Sequence, residues 1–166
     1  MSKIAILGSS VDNFLKSHYE LNMISKIVHE GINLRISKED VILSTGQHGV
    51  PNMALNFPKC SKRIYLPTEP GIFCKDWADE ERFQFGYQLG SADTVTITNS
   101  DIDGMGHVLK MLNDADSVIS FWVGERIGNT FEQMLLANNL GLTIFHGMEN
   151  AEITHDVLMG GWEPQK

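Results

Sequence analysis

Short, continuous apolar runs alternate along the chain with longer stretches whose apolar positions recur at helical spacing. KIAIL (3–7) is a β-branched run closed by GSS, which predicts a first strand and a turn. From Asn13 to Gly31 the positions Phe14, Leu15, Leu21, Ile24, Ile27 and Val28 predict one amphipathic helix, with Gly31 as its C-cap. DVILS (40–44) and RIYLP (63–67) predict the second and third strands. Between them PNMALNF opens a helix, with Pro51 in the first turn, where the missing N–H is no loss. A helix over Ala78–Leu89 capped by Gly90 follows, then DTVTIT (93–98), which alternates and belongs at or near a sheet edge. GHVLKMLNDA predicts a helix, DSVISFWV a buried strand, NTFEQMLLANNLG a helix ending at Gly141, and LTIFH the last strand. The tail, with Gly160-Gly161 and a terminal EPQK, reads as loose.

Strands and helices that alternate from end to end, with continuous apolar strands, predict the α/β class. The expected architecture is a Rossmann-like three-layer sandwich around a mostly parallel central sheet. Without an internal repeat, a low-complexity tract or a linker, residues 1–166 read as a single domain. In such a sheet, ligands sit outside the carboxyl ends of the strands, near the point where strand order reverses.

Three predicted strands end in loops of glycine and small polar residues that run into helix N-termini: GSSVDN, TGQHGVPN and GERIGNT. In the first, Gly8 permits close backbone approach and Ser9 and Ser10 offer hydroxyls, although Ser10, Asp12 or Asn13 can each serve simply as a helix cap. The second places Gly46 and Gly49 where their backbone N–H groups add to a helix dipole. There Thr45, Gln47 and His48 are candidate contacts to a phosphate or base, and Asn52 is either a ribose ligand or a helix-start polar group. In the third, Gly124 and Gly128 bracket Glu125, Arg126 and Ile127, Asn129 or Thr130 caps the next helix, and Thr130 can donate to a phosphate. Elsewhere, Trp77 and Arg82 are placed to cover a base or to pack in the core. His107, at a helix start, faces either solvent or the site.

Composition narrows the chemistry. A formal net charge of −8, from 21 acidic against 13 basic residues, argues against a nucleic acid partner, which needs clustered Lys and Arg. It leaves room for one small phosphate held by uncharged backbone N–H groups. Cys60 and Cys74 are too few for a disulfide framework, and no Cys, His or acidic spacing suits a metal, so neither a metal nor an organic cofactor is expected. No apolar run approaches a membrane span and no basic leader precedes the first strand, which points to a cytoplasmic protein with reduced thiols and no membrane partner. GxGxxG, GxSxG and the P-loop are all absent.

The quoted loops carry a resemblance. ILSTGQHGVPNMAL resembles the strand, glycine turn and helix of the SLOG superfamily, which joins the DNA-processing protein A fold to the Lonely guy cytokinin-activating enzymes. Thr45-Gly46, Gly49, Asn52 and Ala54 match its turn, with Thr45 in place of the first glycine. ADSVISFWVGERIGNTFEQMLLANNLGLTIF resembles the family's second half, with Asn129-Thr130 where the family has Gly-Thr, and is also similar to nucleoside 2-deoxyribosyltransferases. The likeness covers roughly residues 40–60 and 114–146. It implies a small-molecule partner, a nucleotide or ribose derivative, and a homodimer formed through helices on the sheet.

The Lonely guy enzymes cut the bond between ribose 5′-monophosphate and base, and the transferases use a carboxylate on the sugar. In both, a glutamate stands three residues after the threonine, where this chain has Gln133. An amide can be neither nucleophile nor general base. The carboxylate falls one residue earlier, on Glu132, about 100° away around the helix axis. Three readings follow: a sensor or sequestering protein for a nucleotide derivative, an N-glycosidic hydrolase or transferase with Glu132 as the carboxylate and Arg126 steadying phosphate, or a scaffold with degenerate loops that binds no ligand.

Overall fold

A computed structural model describes residues 1–161; the terminal EPQK lies outside the described residues. Six strands form one parallel sheet: β1 (Lys3–Gly8), β2 (Val41–Ser44), β3 (Ser61–Leu66), β4 (Thr94–Ile97), β5 (Ser117–Phe121) and β6 (Ile144–His146). Their spatial order is β4-β3-β2-β1-β5-β6, so the chain winds outward from β1 to β4 and then returns to the far side of β1. The strand order reverses between β1 and β5, where Ile4 pairs with Ser117 and Gly8 with Phe121. The α-helices are α1 (Val11–Lys16), α2 (Leu21–Arg35), α3 (Val50–Ala54), α4 (Pro70–Phe73), α5 (Asp79–Ser91), α6 (Gly106–Asp114) and α7 (Asn129–Asn139), and a π-helical turn over Val157–Gly161 takes in the Gly160-Gly161 pair expected to be loose.

Successive strand residues point to opposite faces, and the apolar runs therefore supply two cores. Ile4, Ile6, Ile42, Ile119 and Phe121 meet Phe14 of α1, Ile24 and Val28 of α2, and Ala54 of α3. Ala5, Leu7, Leu43, Val118 and Trp122 meet Met111 and Leu112 of α6 and Met134 and Ala137 of α7. A third cluster packs Phe85 of α5 onto Ile64 and Leu66 of β3. The sheet is thus covered on both faces, as the continuous apolar strands require.

Three boundaries depart from the sequence reading. The helix expected over Asn13–Gly31 is two helices, because the chain turns at His18, whose φ is +70°, and Tyr19 N–H donates back to Phe14 O at 3.1 Å. Gly31 is not a cap. It is buried inside α2, where a Cβ would lie 2.4 Å from Gly147 O and 2.5 Å from the Phe121 ring, so glycine is needed for the helix to seat against the sheet. Gly90 likewise does not end α5, which runs on to Ser91. β4 does lie at the sheet edge, and α7 does end before Gly141, whose φ is +78°.

Candidate functional site

Because every strand is parallel, the loops after β1, β2 and β5 all leave the same edge of the sheet. The β2 loop is braced from within. Ser44 Oγ donates to Pro51 O at 2.6 Å and accepts from Gly46 N–H at 3.0 Å. Gly46, at φ +68°, lies against Phe85, and Gly49, at φ +94°, precedes α3. Asn52 is a structural group: its Nδ2 donates to Gly46 O at 3.2 Å and to Gln88 Oε1 at 3.1 Å, and its Oδ1 accepts from Gln88 Nε2 at 3.2 Å. A reciprocal amide pair ties the loop to α5, the helix placed by the irregular middle of the chain.

His48 turns toward that same middle segment. Its Nε2 lies 2.6 Å from Glu81 Oε2 and its ring 4.3 Å from the Trp77 ring. Together with Gly49, Asn56 and Gln84 they line a cavity of about 210 Å³. Trp77 packs on Phe73 and Phe85 as well, so it belongs to the α4–α5 cluster. Arg82 pairs with Asp79 on the exposed start of α5.

At the reversal point the first and third loops are bonded to each other. Ser9, buried, donates its hydroxyl to Glu125 Oε1 at 2.6 Å and accepts Val123 N–H at 3.1 Å. Burial pushes the Glu125 carboxyl above its ordinary range, while the Ser9 hydroxyl pulls the other way. Glu125 escapes the sequence reading as a contact, although it sits in the loop singled out. Thr130 Oγ1 donates to Gly8 O at 2.6 Å, so its proton fastens α7 to the end of β1 instead of standing free for a phosphate. Gly8 itself meets Val50, 2.4 Å from where a Cβ would be. Ser10 caps α1, accepting Asn13 N–H at 3.1 Å. Arg126 lies over the Trp122 ring at 5.6 Å and donates to Val157 O at 3.2 Å.

What these contacts leave accessible is a cavity of about 260 Å³ between the β2 loop, the start of α6 and the start of α7. Thr45, Gln47, Asp103, His107, Asn129 and Gln133 line it. Gly124 and Gly128, at φ +101° and +97°, shape the turn into α7, and no atom lies within 4 Å of where a Gly128 Cβ would be. α7 thereby presents its N-terminal turn, whose first N–H groups have no intrahelical acceptor, beside the cavity. His107 faces the site. It is buried, which lowers its pKa and keeps the ring neutral at pH 7. Glu132 is exposed and does not line the cavity, whereas Gln133, one position on, does. The described residues hold no cluster of His, Cys, Asp and Glu suited to a metal, and no described helix is long and apolar enough to cross a membrane.

No protein-family model and no curated protein matches the chain. Solved structures do. TM1055, determined as a structural-genomics target, is 16% identical, with a TM-score of 0.52 over 87% of this chain and 73% of its own. The molybdenum cofactor binding protein of the phototrophic bacterium Rippkaea orientalis is 17% identical, with a TM-score of 0.55 over 87% of this chain and 75% of its own. At such identities the likeness carries the fold alone: a Rossmann-like α/β sandwich.

Proposed function

We propose that this chain binds a nucleotide or ribose-phosphate derivative at the carboxyl edge of its sheet, as a sensor or sequestering protein. The observation that carries this reading is the cavity lined by Thr45, Gln47, His107, Asn129 and Gln133 beside the N-terminal turn of α7. Hydrogen-bonding side chains surround space for a sugar, and helix N–H groups adjoin it for an anion. A small-molecule binder with the same fold, the molybdenum cofactor binding protein, adds support by analogy. Glycosidic cleavage has less behind it, since Glu132 is exposed outside the cavity and the cavity-facing neighbour is an amide.

Thermal melts with ribose 5-phosphate, adenosine 5′-monophosphate and ADP-ribose test the reading. A ligand present at about 100 times its Kd stabilises the fold by about 2.7 kcal/mol. At least one of the three is expected to raise Tm. Gly128→Val is expected to abolish that rise, because valine at positive φ distorts the turn that presents α7. Glu132→Gln is expected to leave it intact. Melts unchanged by all three ligands sink the proposal; free base released by wild type but not by Glu132→Gln replaces it with the hydrolase.

A further inference from the structure

Among the residues that line the cavity, His107 is the one with a buried, unpartnered polar atom. It is 7% exposed and lines the cavity, and its Nδ1 is buried with no hydrogen-bond partner among the described residues. The rest of the buried face of α6 is Val108, Met111 and Leu112, so packing alone is served by an apolar ring at this position. Buried polar atoms in native proteins are almost always paired, so a bare Nδ1 calls for an explanation; with Nδ1 shut off from the cavity, Nε2 is the ring nitrogen left to meet a ligand. Burial keeps the imidazole neutral, so one ring nitrogen donates and the other accepts.

The remaining wall shows what kind of partner fits. Thr45 brings a hydroxyl, and Gln47, Asn129 and Gln133 bring amides. Among the described residues no Lys or Arg lines the cavity, and the one acidic residue there is Asp103. An anion inside faces a carboxylate with no countercharge, whereas an uncharged, hydroxyl-rich group finds donors and acceptors on the polar walls and Ile102, Met105 and Val108 for its carbon frame. The anionic part of a ligand is better served outside, at the α7 N-terminus that Asn129 begins. Resting on the binding site proposed above, we infer that the cavity takes the sugar of the ligand and that the His107 imidazole, hydrogen-bonded to a sugar hydroxyl, sets its specificity for ribose over deoxy sugars.

The test is a titration of ¹⁵N-histidine-labelled protein, followed by NMR, with ribose 5-phosphate and its 2-deoxy and 3-deoxy analogues. Wild type, His107→Phe and His107→Gln are compared, and each is also melted. Wild type is expected to bind ribose 5-phosphate at least tenfold more tightly than one of the deoxy analogues, with movement of the His107 ring resonances. His107→Phe is expected to lose tenfold or more for ribose 5-phosphate, to lose the discrimination, and to melt no lower than wild type; His107→Gln recovers part of both. Equal affinity of wild type and His107→Phe, or still ring resonances during saturable binding, overturns the role of His107 and leaves the sheet-edge site standing. Binding of ADP-ribose or adenosine 5′-monophosphate at that site without discrimination among the three sugars overturns sugar recognition alone. No binding of any nucleotide or sugar phosphate overturns both.

Discussion

Asn52 shows how little a side chain's chemistry reveals about its task. At a helix start after a glycine turn it is as well suited to a ribose as to a brace, and its partner Gln88 lies 36 residues away on another helix. Both amides are spent on each other, with Gln88 buried. Asn52→Ala therefore leaves a buried amide partly unsatisfied and is expected to cost about 1–3 kcal/mol in urea unfolding, while ligand binding survives. Ser9 and Thr130 belong to the same class. Their hydroxyls look like ligand donors in sequence, yet they close bonds across separations of 116 and 122 residues. Such pairings come from which strands lie side by side, information that no local window holds. His107 is the opposite case: its place at a helix start is local, but its lack of a partner is a tertiary fact.

At the scale of elements, the sequence was legible wherever an apolar run filled a buried strand. KIAIL, DVILS and DSVISFWV became three of the four interior strands because their residues are covered on both faces. The loops at their carboxyl ends were legible for the same reason, since parallel strands bring those loops to one edge. Glycines misled where close packing, not chain reversal, was their purpose. Gly31 reads as a helix end by position, but it marks the place where α2 touches Gly147 and Phe121. Alanine there gains roughly 1 kcal/mol of helix propensity and meets backbone at contact too short to accommodate. Gly31→Ala is accordingly expected to be net destabilising by about 1–3 kcal/mol, read as a lower urea midpoint with unchanged slope.

For the molecule as a whole, buried ionisable groups make stability depend on pH. Burial holds both His107 and His146 below the ordinary 6.5; for His146, Glu149 pulls upward and Arg35 downward. Unfolding restores the ordinary value, so the unfolded chain binds more protons below about pH 6.5 and the fold loses stability as pH falls through that range. Glu125 acts in the other direction. Its pKa is raised from 4.5, so its contribution is complete below that value and is lost as pH rises through the raised one. With two imidazoles that charge more readily in the unfolded chain, Tm is expected to drop as pH falls from 7.5 to 5.5. His107→Phe should flatten that drop; melts of the two proteins across the range decide.

β1 is made before the other five strands of this sheet and is one of the two at its centre, and its two sides are covered at different times during synthesis. Its β2 partner, Val41–Leu43, follows soon after, but its β5 partner, Ser117–Phe121, comes far later in the chain. At roughly 5–20 residues per second, the about 75 residues between those partners leave that side of β1 open for about 4–15 s on the ribosome. The open side is the edge of an apolar strand, Ile4 to Leu7, with unpaired N–H and C=O groups available to any neighbouring nascent chain. Slowing translation between β2 and β5 is thus expected to lower the folded yield while leaving the Tm of the purified protein unchanged.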